Sequence, residues 1–164
     1  MKKLIAVIVS LAALPAFAHD GHATASGLAA GLAHPFMGLD HLLAMLGIGM
    51  WSRRQEQPLA LPVTFLAMMA AGALLQGGFV VAEGLVLASV VAIGLLLLAA
   101  RMPGWGAIVV VGLFGLLHGQ VHGHELPGLS SAAGYLVASA ALLFAGRVIS
   151  RTYPISTPRS ETGT

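Results

Sequence analysis

Hydrophobic positions along this chain come in long unbroken runs, without the alternation of a half-buried strand or the one-faced stripe of a soluble helix. Five such runs follow the N-terminal segment, at roughly 28–51, 58–76, 80–100, 105–124 and 129–149. Each is close to the ~20 residues an α-helix needs to cross ~30 Å of hydrocarbon. Polar breaks with turn chemistry separate them: Arg53-Arg54-Gln55-Glu56-Gln57-Pro58, Gln76-Gly77-Gly78, Arg101-Met102-Pro103-Gly104 and Glu125-Leu126-Pro127-Gly128. None of these breaks is long enough to hold a soluble domain. The pattern predicts an all-α fold: a polytopic membrane helix bundle, one domain over 19–151, with five transmembrane helices once a signal peptide is removed.

That signal peptide is expected over residues 1–18. Met1-Lys2-Lys3 is a basic start, Leu4 to Leu14 an apolar core, Pro15 a helix breaker, and Ala16-Phe17-Ala18 a small-x-small cleavage site. An uncleaved first membrane helix is the other reading, and the shortness of the apolar core argues against it. Cleavage leaves His19 at the mature N-terminus, in the periplasm of a Gram-negative cell. The alternation of spans then places Arg53, Arg54, Arg101, Arg147, Arg151 and Arg159 all on the cytoplasmic side, as the positive-inside rule requires. The expected location is the bacterial inner membrane, with Trp51 and Trp105 as anchors near the inner interface. The polar stretch 152–164 reads as a disordered cytoplasmic tail.

Composition removes several alternatives. The chain is 57% hydrophobic and 9% charged, against about 25% charged in a soluble domain. This argues against a soluble enzyme, a nucleic-acid binder or a disordered protein. A formal charge of +2 from scattered basic residues builds no phosphate-binding face. The absence of cysteine excludes disulfides, thiolate metal sites and cysteine nucleophiles. What remains abundant is histidine, seven residues against six acids.

Ionisable groups inside membrane spans are costly unless paired or lining a cavity, so each is a functional candidate. The first run carries His34, Asp40 and His41; the third carries Glu83; the fourth ends with His118, His122, His124 and Glu125. On the expected topology all of them fall in the periplasmic half. His118, His122 and Glu125 stand at i, i+4 and i+7 and share a helix face, whereas His124 points elsewhere. Gly115, Gly119 and Gly123 form a second stripe suited to close helix packing. His34 and His41 are seven residues apart. Pro35 between them predicts that the helix either begins there or is kinked there, which would free the Gly31 carbonyl. Imidazole and carboxylate without thiolate suit a borderline divalent ion, namely nickel, cobalt, zinc or copper(II). Asp40 could instead orient a neighbouring imidazole. His19 and His22 offer a further capture point at the mouth. Met37, Met45, Met68 and Met69 raise copper(I), with Met45 one helical turn from His41.

The sequence His34-Pro35-Phe36-Met37-Gly38-Leu39-Asp40-His41 resembles the His-x5-Asp-His signature of the HupE/UreJ family of nickel permeases. His118-Gly119-Gln120-Val121-His122-Gly123-His124-Glu125 is similar to that family's second signature, with Leu117 before it where phenylalanine is frequent. The signal segment, the glutamate at the start of the third run and the overall order also match. Many family members have a further C-terminal span, where five mature spans are expected here. The resemblance implies that His34, Asp40, His41, His118, His122 and Glu125 are needed for metal transport, with Glu83 as an entrance carboxylate.

The reading is therefore a secondary permease importing nickel(II) as its substrate, with no resident cofactor, no enzymatic activity and no nucleotide-binding motif. Its partners are the lipid bilayer and a divalent transition-metal ion, with no nucleic acid. It would serve a downstream maturation system such as that of hydrogenase or urease, and assembly into a homo-oligomer stays open. The alternatives are a cobalt or copper permease of the same architecture, a membrane metalloenzyme, and a metal-binding assembly factor.

Overall fold

Hydrocarbon offers no hydrogen-bond partners, so an apolar chain satisfies its backbone within helices and packs those helices through whatever small residues they carry. The computed structural model describes residues 26–75, 83–98, 102–125 and 128–152, which contain six α-helices and no strand. These are α1 (Leu28–Met37), α2 (Leu39–Ser52), α3 (Ala60–Leu74), α4 (Glu83–Leu98), α5 (Gly104–Glu125) and α6 (Leu129–Thr152). Gly104–Gly123 of α5 and the whole of α6 are long and apolar enough to cross a membrane. The segments 1–25, 76–82, 99–101, 126–127 and 153–164 lie outside the described residues. With them lie the expected signal peptide, His19, His22 and all but the first residue of the expected tail.

The first apolar run is two helices, which is why six helices stand where five runs were read. The break does not come at Pro35, which lies inside α1, but at Gly38, whose φ of −99° and ψ of 118° are extended. Pro35 has no N–H to give the Gly31 carbonyl, which weakens the turn. The chain leaves helical geometry three residues later, where the absence of a Cβ makes departure cheapest. The Leu42 N–H then donates to the Gly38 carbonyl at 3.0 Å and restarts the helix as α2.

Two closely packed units result. In one, α3 and α5 run parallel: Phe65, Met69 and Ala73 present backbone carbonyls to Gly115, Gly119 and Gly123 in register. A Cβ added at Gly119 would stand 2.0 Å from the Met69 carbonyl oxygen, so the glycine stripe sets how near the helices come. In the other unit, α6 runs parallel to the broken α1–α2 rod. Gly31 packs on Ser131 and Gly134, Gly49 on Leu143, and Gly146 on Leu46. Backbone contact between the units is sparser, through α2 with α3 and α3 with α6, while α4 leans on α2 and α5. Core side chains such as Met45, Ile48, Phe65, Met69 and Tyr135 fill the space between, each fully buried.

The outer surface is apolar. Val63, Leu95, Val109, Leu113, Val137 and Phe144 are all exposed large hydrophobics, a girdle that water would not tolerate. At the opposite end from the histidines, half-buried Arg147 donates to Ser52 Oγ at 3.1 Å and to the Pro58 carbonyl, tying α6 to the 53–59 connector. Two sequence expectations change here. Trp51 is 3% exposed and packs in the core, while Trp105 is 73% exposed as an anchor should be. Thr152, assigned to the tail, closes α6, with its Oγ1 donating to the Val148 carbonyl at 3.2 Å.

The glycine register gives a direct test. Gly119→Val should destabilise the chain by about 1–3 kcal/mol, because the α3 backbone must retreat. Gly104→Ala, where an added Cβ meets nothing within 4 Å, should leave the unfolding midpoint in detergent unchanged.

Candidate metal centre

Histidine enters this bundle from both units. His34 sits one turn before the end of α1 and His41 in the first turn of α2, so the Gly38 break lies between them. Their ring centroids are 5.7 Å apart with planes at 72°. His118 and His122 lie one turn apart on α5, centroids 6.4 Å apart. Across the seam His122 meets His34 at 4.7 Å and His41 at 4.7 Å, and His118 meets His41 at 5.4 Å. His122 is thus the hub of the group.

One ligand nitrogen from each of His34, His41 and His122 lies within 4.8 Å of the other two. Two nitrogens bound to one ion at about 2.1 Å each can stand no more than ~4.2 Å apart. Loading would therefore draw the widest pair together, by a small rotation of the rings. His118 and His122 are 0% exposed and His41 2%, whereas His34 is only half-buried and forms the more open edge. The His118 Nδ1 lies 2.8 Å from the Phe114 carbonyl oxygen. A carbonyl only accepts, so Nδ1 carries the proton and Nε2 is the nitrogen with a lone pair to offer. Such a bond fixes ring orientation and raises ligand basicity.

Two aromatic neighbours were not singled out in the sequence. Phe65 of α3 meets the His118 ring at 5.6 Å, edge-on. Tyr135 of α6 lies against His122, centroids 5.0 Å apart and planes tilted by 35°. A lone tyrosine in an apolar run carries no spacing signal, so only tertiary structure reveals it. Met45 and Met69, entertained as copper(I) ligands, are fully buried members of the hydrophobic core, and Met37 is 54% exposed. Asp40, Glu83, His124 and Glu125 lie on α2, α4 and α5, with Asp40 next to His41 and Glu125 three residues past His122; their side chains lie outside the described residues.

Chemically, three convergent imidazoles with a fourth beside them form a nitrogen donor set of the kind that suits a borderline divalent cation. The sequence family described as HupE / UreJ protein matches residues 7–162 of this chain. The chain is also similar to Protein HupE of Rhizobium leguminosarum bv. viciae, with 38% identity over 139 residues that cover 80% of this chain and 73% of that protein. No solved structure matches significantly.

The hub position gives the next test. In purified full-length protein, His122→Ala should weaken cobalt(II) or nickel(II) binding by at least ~100-fold, since even outer partners of a ligand cost 10–100-fold. Met45→Leu, a volume-conserving core change, should leave that affinity unchanged in equilibrium dialysis. Wild-type affinity in His122→Ala would remove the cluster from consideration.

Proposed function

The chain belongs to the HupE/UreJ family, and on that premise we propose that it is an inner-membrane secondary transporter importing nickel(II) from periplasm to cytoplasm. The observation that carries this reading is the convergence of His34, His41 and His122 from two helical units onto one point. A site held between separately packed units has the geometry of alternating access, in which one unit rocks against the other around a fixed ion. Broken helices are the usual way membrane proteins line such a site, and the Gly38 break stands between two of the ligands.

In the proposed topology five spans follow a cleaved signal peptide, with the α1–α2 rod acting as the first span. The parallel pairing of α1–α2 with α6, and of α3 with α5, supports a strict alternation of direction. The histidines then lie in the outer half and Arg147 at the inner end. Asp40 and Glu125, which belong to the same family signatures as the histidines, are the proposed carboxylate donors, and Glu83 is the proposed entrance carboxylate. His19, His22 and His124 are weaker contributors. The inward-negative membrane potential alone favours a divalent cation by about 4.6 kcal/mol per 100 mV, so no nucleotide is required.

The chain's own residues do three things in this scheme. His34, as the open edge, receives the ion; His41 and His122 replace the water it loses; His118, oriented by Phe114, stands one turn before His122 on α5 for the next contact. Cobalt(II) fits the same donors, and competition in a flux assay ranks the two metals.

In proteoliposomes, uptake of radioactive nickel should fall at least about tenfold with either His41→Ala or His118→Ala, as expected when a buried ligand is lost. Undiminished uptake in both variants would defeat the proposed site. Imidazole binds metal only when neutral, so protons compete with the ion. Uptake should therefore decline as the outer compartment is acidified from about pH 7.5 to about pH 5.5. A rise over that interval would contradict imidazole ligation.

A further inference from the structure

One face of α6 carries three hydroxyls at four-residue spacing: Ser131, Tyr135 and Ser139, all 0% exposed. Ser131 Oγ has a structural task, accepting a hydrogen bond from the Gly27 N–H at 2.9 Å where α1 begins. The Tyr135 hydroxyl and Ser139 Oγ are different, since both are buried with no hydrogen-bond partner among the described residues. Tyr135 packs its ring on His122 at 5.0 Å. Ser139 follows one turn later, between the Gly134–Gly31 contact and the Leu143–Gly49 contact. That stretch of α6 spans the α1–α2 break, which lies between His34 and His41.

A buried hydroxyl without a partner costs stability that phenylalanine or alanine in its place would not. Two of them share one face of α6, the first with its ring against His122, and a partner that arrives with the substrate would satisfy both. A divalent transition-metal ion brings water in its coordination shell, and metal-bound water is a strong hydrogen-bond donor. We propose that the Tyr135 and Ser139 hydroxyls form a transient oxygen-lined position for a partly hydrated divalent transition-metal ion, adjoining the histidine cluster on its α6 side. They accept hydrogen bonds from the ion's remaining water as an imidazole lets go, and so lower the barrier to exchange in both directions. A stepping position of this kind changes rates and leaves the equilibrium affinity of the imidazoles alone. The proposal rests on the transport reading for its role in passage, but not for its effect on exchange.

The experiment uses the full chain in detergent with cobalt(II) as the probe, comparing wild type with the Tyr135→Phe/Ser139→Ala double variant. Equilibrium affinity, the dissociation rate into excess chelator and the thermal unfolding midpoint are measured on each. The expected result is an affinity within about threefold of wild type, an unfolding midpoint no lower, and dissociation slowed by about fivefold or more, the low end of what two hydrogen bonds contribute. Slowing below that threshold overturns the proposal, as does a joint fall in affinity and unfolding midpoint, which would mark the pair as structural. Nickel flux of the same proteins in liposomes should slow in step with dissociation. If wild-type protein binds cobalt(II) yet carries no metal, the transport reading falls while the dissociation rates still decide the role of the hydroxyls. If wild type binds no cobalt(II), both fall.

Discussion

His122 touches His34, His41 and Tyr135 at once, and through these contacts one α5 side chain engages α1, α2 and α6. The remaining architecture arranges itself around that junction. Backbones that pack through glycine leave little room for side chains between them, so the polar rings collect where the two glycine-packed units face each other. The His34 ring meets His122 edge to face at 87°, while His41 lies tilted against it at 42°, and neither pair stacks face on face. The same arrangement directs several ring nitrogens toward a common point, so packing and ligation call for similar geometry.

A seam of this kind also explains the division of labour among the helices. The α3–α5 pair, packed in register by Gly115, Gly119 and Gly123 against α3 carbonyls, carries two of the four histidines. The α1–α2–α6 unit carries the other two across the Gly38 break. Movement between units would separate the ligands from one another without disturbing either glycine interface. Tightly interdigitated cores do not deform continuously, so a transporter is expected to concentrate its motion at sparse contacts. Arg147, bound to Ser52 and Pro58, closes the far end of the second unit and links it to the connector leading into α3.

Much of this was legible from the sequence, for reasons that differ by residue. The runs of apolar residues marked the helices because lipid leaves the backbone no alternative. His34, His41, His118 and His122 stood out because imidazoles are expensive in an apolar bundle, and the turn-by-turn alternation of runs placed them at one depth. Family signatures then tied those positions to metal transport. The position of the break was less visible, since proline is the stronger sequence signal and the actual departure from helix occurs at Gly38. Trp51 reads as an interfacial anchor by residue type, yet it packs within the buried apolar core. The place of α6 beside the cluster was hidden altogether, because a lone tyrosine in an apolar helix acquires meaning only when His122 is found against it.

The central claim is that imidazoles from both units bind one divalent ion. X-ray absorption spectroscopy of the full-length protein loaded with one equivalent of nickel(II) tests it most directly. The outer-shell scattering characteristic of imidazole should be fitted by at least the three rings that converge here, those of His34, His41 and His122, with oxygen completing the shell. A spectrum fitted by oxygen alone, or one requiring sulfur, would contradict the account.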